Sequence, residues 1–178
     1  MKNALLAFTA ICLLAACKKD NSNSSDSPHI TTTISGTAKA FNVSPIATKM
    51  SMLGYTSITV TGLATASAAS ELISLAIAGR YLSQPIGVGT YTDTSSVFAV
   101  SAVYSADLST QYVGNNEITK EALRIGSPIV NHLKIVIASI DSVAVKGTFS
   151  GDVLLNGKAG SPAKTLTNGD FYAKFKTQ

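Results

Sequence analysis

Tryptophan is absent from this chain, and cysteine and histidine nearly so, with two of each in 178 residues. Each scarcity excludes something. Cys12 and Cys17 both lie near the start, so no disulfide framework, thiolate zinc site or iron–sulfur cluster is available to the rest of the chain. His29 falls in a polar stretch, which leaves His132 as the one imidazole expected inside a folded domain. Missing tryptophan removes the commonest platform on which proteins stack sugar rings. Charge is sparse too, at 13% of residues, with a net of +4. The cations Lys39, Lys49, Arg80, Lys120, Arg124, Lys134, Lys146 and Lys158 stand singly, with no polybasic run among aromatics. A solvated surface is the reading, and nucleic acid is not an expected partner.

What is present is most specific at the start, MKNALLAFTAICLLAACKKD. Lys2 gives a basic tip, Ala4 to Leu14 an apolar run, and Ala15-Ala16 a small pair before Cys17. This is the order of a secretory signal, and the run falls short of the ~20 residues that span a bilayer. Leu14-Ala15-Ala16-Cys17 resembles the bacterial lipoprotein lipobox. That resemblance implies cleavage between Ala16 and Cys17 and acylation of Cys17. An ordinary signal peptide followed by an unmodified cysteine is the alternative. Cys12 leaves with the signal and Cys17 is taken by lipid, so no free thiol and no cofactor-binding cysteine are expected in the mature chain.

The expected organisation is therefore a lipoprotein signal peptide over 1–16, a lipidated cysteine and disordered tether over 17–29, and one domain over 30–178. Asn21 to Pro28 is rich in Asn and Ser and almost free of apolar groups, as a tether should be. Lys18-Lys19-Asp20 is similar to the charged signals that direct Bacteroidota lipoproteins outward. Lys at position 18 departs from the Asp of inner-membrane retention signals.

From Ile30 onward the hydrophobic period is two. Ile30, Thr32 and Ile34 alternate with Thr31 and Thr33, Ser35-Gly36 fits a hairpin turn, and Thr37 to Phe41 return. Ser57–Leu63, Glu71–Ala78, Val97–Tyr104, His132–Ile140, Val143–Leu155 and Phe171–Phe175 also read as strands. Val97–Tyr104 is apolar on both faces, which predicts cover on both sides. Asn116–Arg124 has a cap and acids for a helix of about two turns. The expected fold is all-β: an antiparallel β-sandwich or partly closed barrel of about eight to ten strands with at most one short helix.

With the lipobox and CKKD, the hairpin ITTTISGTAKAF, Gly89-Thr90-Tyr91, the unit IVIASIDSVAVKGTFSG and the ending LTNGDFYAKF resemble a family of β-rich Bacteroidota lipoproteins built on a domain of unknown function. The resemblance spans most of Ile30 to Phe175 and implies a β-rich envelope protein with no activity to transfer. The chain departs from it where relatives place a Trp in the first hairpin, since Phe41 is the bulkiest residue there.

Chemistry-bearing constellations are thin. No Gly-x-Ser-x-Gly elbow accompanies His132, at the head of an apolar strand. Glu117 and Glu121 are the one close acidic pair and would share a helix face as a repelling, solvated couple. Asp93, Asp107, Asp141, Asp152 and Asp170 sit in turn-like contexts, where bonding nearby backbone amides is the expected role. Asn115, Asn116 and Glu117 lack calcium-loop spacing, and Asn168-Gly169-Asp170 reads as a tight turn. Asp141-Ser142-Val143 is similar to the short O-glycosylation signal of Bacteroidota exported proteins, making Ser142 a candidate acceptor. Tyr81, Tyr91, Tyr104, Tyr112 and Tyr172 are candidate sugar-stacking rings.

These readings converge on a lipid-anchored protein of the outer membrane, on its periplasmic or cell-surface face. No catalytic, cofactor-binding or metal-binding residue is assigned. A non-catalytic module for a ligand, with a glycan as candidate, stands first. A structural or accessory subunit of an envelope complex is the alternative, and a hydrolase comes last. Exposed tyrosines in a concave face would favour the module. An exposed apolar patch or free sheet edge would favour the subunit.

Overall fold

The computed structural model describes residues 27–67 and 69–176, so Ala16 and Cys17 lie outside the described residues. Eleven strands and one helix follow in order: β1 (His29–Ile34), β2 (Thr37–Ala40), β3 (Val43–Met52), β4 (Tyr55–Leu63), β5 (Leu72–Gly79), β6 (Gly89–Thr92), β7 (Phe98–Ser105), β8 (Gln111–Asn115), α1 (Asn116–Arg124), β9 (Lys134–Ile140), β10 (Ala144–Leu155) and β11 (Ala163–Phe175). The fold is all-β, as the period of two predicts. Among the described residues no helix is long and apolar enough to cross a membrane.

All strands join one hydrogen-bonded sheet, ordered β2-β1-β11-β3-β4-β5-β7-β8-β10-β9-β6, with β10 also pairing β11. That last pairing closes a ring through β11, β3, β4, β5, β7, β8 and β10. The ring closes because β10 and β11 are long enough to serve two partners along one edge. On β11, β1 pairs with the stretch from Leu166 to Tyr172, and β3 takes over at Lys174 and Phe175. On β10, β9 takes Val145 to Ser150 and β8 takes Leu154 and Leu155. The result is a closed ring of seven strands, the barrel side of the two expected alternatives, with β1–β2 and β9–β6 extending from β11 and β10. Its one parallel contact, β11 with β3, corrects the purely antiparallel expectation.

The inward face is the one that the alternation marks. Ile58, Val60, Ile73, Leu75, Ile77, Ile135, Ile137, Val145 and Phe171 are all at most 3% exposed. These side chains meet so closely that the void among them is only about 10 Å³. Each such side chain contributes roughly 1.5–3 kcal/mol by burial, and the described residues, which include no cysteine, hold this core without a disulfide. Ser35 and Gly36, at φ 47° and 88°, form the tight β1–β2 turn that the twist of a two-residue hairpin requires.

Several expectations need correction. β3, β6 and β8 are strands that the sequence does not announce. β3 contains Pro45 and buries only Ala47, so its alternation is invisible. β6 is four residues long. β8 carries Gly114, where an added Cβ would lie 2.6 Å from the Asp152 carbonyl oxygen. His29, expected in the tether, opens β1 and meets Asp170 at 2.7 Å. Asn168-Gly169-Asp170 is no turn between strands but an irregular point inside β11, with Asn168 at φ 52°. The outer face of β7 is only partly covered, and Ala99 and Ser101 line a shallow cavity.

Candidate functional site

The residues with the most deliberate polar geometry gather where β6 ends and β9 begins. Asp93, immediately after β6, has a side chain only 1% exposed. It does not serve a local turn. Oδ1 receives a bond from His132 Nδ1 at 3.1 Å, and Oδ2 accepts from the Leu133 amide at 3.1 Å and from Thr119 Oγ1 at 2.7 Å. One buried carboxylate thus ties helix α1 to the head of β9 and fixes the His132 ring. Because the carboxylate accepts, the Nδ1 proton is the one donated, and Nε2 is left for whatever faces the half-exposed ring.

A second brace stands beside it. Asp152, also buried, accepts from the Asn131 amide and Nδ2, each at 3.2 Å, and from Thr165 Oγ1 at 2.7 Å. The two braces fix the walls of an open groove of about 340 Å³, with Thr92, Asn131, His132, Lys134, Ser150 and Thr167 on its surface. Hydroxyls, an amide, an imidazole and an ammonium line it, and no carboxylate does. The cavity on β5 and β7 is poorer in donors. Its floor is Ala76, Ala78 and Ala99, and its charges, Arg80 and Glu117, lie 3.2 Å apart and face each other.

The other candidates are accounted for by structure. Asp107 and Asp141 bond nearby amides in turns, as expected: Ser109 and Thr110 for the first, Val143 and Ala144 for the second. The Ser109 and Thr110 bonds hold the Asp107 carboxyl down at about 2. Asp93, Asp152 and Asp170 do not fit that expectation, since they bind partners distant in sequence. Asn115 caps α1, while Asn116 is buried and accepts from the Val100 amide at 2.7 Å. Both are therefore committed to structure rather than to a cation. Among the described residues no group of three or more His, Cys, Asp or Glu side chains gathers into a metal site. Glu117 pairs with Lys120 and Arg80, and Glu121 with Arg124, so the expected repulsion is neutralised. Ser142 is exposed in the β9–β10 turn.

Of the five candidate tyrosines only Tyr81 is exposed, while Tyr112 and Tyr172 are partly buried, so the five share no platform. Tyr91 is buried, its hydroxyl donating to the Gly87 carbonyl at 2.8 Å. Tyr104 is buried with its ring stacked on Tyr112. The Tyr104 hydroxyl donates to Glu71 Oε2 at 3.1 Å, and Lys39 holds Oε1 at 2.7 Å. Burial, then the Glu71 bond, pushes the Tyr104 phenol from 10.0 up to about 12. A folded-state value raised above the unfolded one leaves stability intact below about pH 10 and removes it as pH rises toward 12. Melting temperature should accordingly drop between pH 10 and pH 12 in the native protein, and Tyr104→Phe should flatten that drop.

Compared with known proteins, the chain matches no family model, no curated protein and no solved structure.

Proposed function

We propose that this is a lipid-anchored outer-membrane protein whose β-domain is a non-catalytic binding module for a hydroxyl-rich ligand of the glycan class. The observation that carries the reading is the groove beside His132, whose polar wall is held rigid from behind by buried Asp93 and Asp152. Supporting groups buried behind exposed ones are how a site keeps its geometry without a ligand. Lys134 adds a cation and no carboxylate lines the groove, so a glycan carrying an acidic group fits better than a neutral one. Hydrolysis of a glycan needs two carboxylates across the bond, and the groove wall presents none.

The exposed apolar residues of the β3–β4 hairpin meet the criterion set for a structural or accessory subunit, so that reading stands second, but through strand addition it is less well supported. The free sheet edges, β2 and β6, are four residues each, and β2 carries a lysine, Lys39, which blunts such an edge.

The test is an oligosaccharide array, followed by calorimetry on the tightest binder. His132→Ala should weaken binding about tenfold, near 1.4 kcal/mol, and should also lower the melting temperature, because it takes one of the donors from buried Asp93. Absence of any oligosaccharide binding, or an affinity indifferent to His132→Ala, would sink the groove as a glycan site.

A further inference from the structure

The β3–β4 hairpin turns on Leu53 and Gly54, both at positive φ, 52° and 83°. That turn type favours Asn, Asp or Gly at its first position, and leucine there is strained. The core does not account for the choice, because Leu53 is 85% exposed. It is not alone. Met50, Met52 and Tyr55 on the same hairpin are 52%, 64% and 48% exposed, and Tyr81 and Leu82 of the β5–β6 connection 59% and 62%. The two loops form one surface: the Ser83 amide donates to the Gly54 carbonyl at 2.8 Å, and Leu82 covers Gly54. On the flank lies a cavity of about 520 Å³ with Lys49 and Lys176 on its wall, along with Asp141, whose Oδ1 already holds two backbone amides.

We infer that this tip docks on the lipid surface to which the chain is tethered. Chain direction supplies the occupant. β1 runs antiparallel to β11 and β3 runs parallel to it. The chain preceding His29 therefore enters the domain from the end toward which the β3–β4 hairpin points. Ten residues take the sequence from Cys17 to Ser27, a reach of up to ~35 Å. The six positions from Ala47, level with Phe175, to Leu53 extend only ~20 Å. An anchor at Cys17 can thus hold the tip at the bilayer interface, apolar side chains in the acyl boundary and Lys49 and Lys176 at anionic headgroups. This docking rests on the anchored reading of Cys17, and its test separates the two.

Because the chain has no tryptophan, one introduced indole reports alone. Leu53→Trp in the full chain, with Tyr81→Trp as a second position, is mixed with phosphatidylcholine–phosphatidylglycerol vesicles. The comparison variant is Leu108→Trp, at an exposed position in the β7–β8 turn, the end of the sheet where β5 begins. Docking predicts a blue-shifted emission at positions 53 and 81, quenched by acyl-brominated lipid, while position 108 stays unshifted and unquenched. Flotation with the vesicles but no quenching at 53 or 81 leaves the anchor standing and overturns the docking. Quenching at 53 and 81 in a chain that takes up no lipid label upholds the docking and overturns the anchor. A blue shift without bromine quenching means that protein, such as a second copy, covers the tip, and the inference is then wrong.

Discussion

Gly147→Ala is expected to cost about 3 kcal/mol and to lower the melting temperature by roughly 6–12 °C. Gly147 lies in β10 between two partners, opposite Ile137 on β9 and Phe171 on β11. An added Cβ would strike the Val136 carbonyl oxygen and lie 2.7 Å from Phe171 Cζ. Neither neighbour is a flexible side-chain end. The carbonyl belongs to a paired strand, and Phe171 is 1% exposed at the centre of the core. Relief therefore requires moving β9 or repacking the ring, which costs more than one extra methyl in a yielding pocket. Gly87→Ala is the control, since nothing lies within 4 Å of the Cβ position there, and it should shift stability by no more than ~0.5 kcal/mol. Thermal denaturation of both variants decides the matter, and a Gly147→Ala protein as stable as Gly87→Ala would refute the close approach of β9 and β11.

Replacing Cys17 with Ser should remove the lipid anchor while leaving the domain folded. Each buried methylene contributes about 0.8 kcal/mol and one acyl chain holds only marginally, so the two or three chains expected on Cys17 account for stable attachment. The tip of the β3–β4 hairpin adds contact area but no covalent chain. The variant should therefore leave the membrane fraction as a soluble species or retain its uncut signal. Metabolic palmitate labelling followed by fractionation is the measurement. A wild-type protein without label, or a serine variant with as much label as wild type, contradicts the lipoprotein reading. Protease added to whole cells then locates the domain: digestion means surface display, and full protection contradicts the outward-export reading of Lys18-Lys19-Asp20.

The division between what was legible and what was not follows the range of the interactions. The period of two in Ile30–Ile34, Ser57–Leu63 and Glu71–Ala78 determined an all-β fold and the inward face, because burial on one side of a sheet is written into alternate residues. The short helix over 116–124 was legible from its polar start and first-turn acid, although its cap is Asn115 and not Asn116, and Ser35-Gly36 was legible from its turn chemistry. The expected cleavage and lipidation at Ala16 and Cys17 are likewise a property of local sequence. Strands without alternation were not legible. β3 buries one residue, and it exists because β11 and β4 offer it hydrogen-bonding edges. Only the tertiary structure decided that β10 and β11 would each serve two partners along one edge and, by pairing with each other, close the ring. It also decided the roles of the carboxylates. Asp93 and Asp152 sit in turn-like sequence yet brace segments 13 to 40 residues away, and no local pattern encodes a partner at that distance. The exposed tip shows the same limit from the other side: Leu53 beside Met52 reads as strand filler until the fold leaves both outside the core.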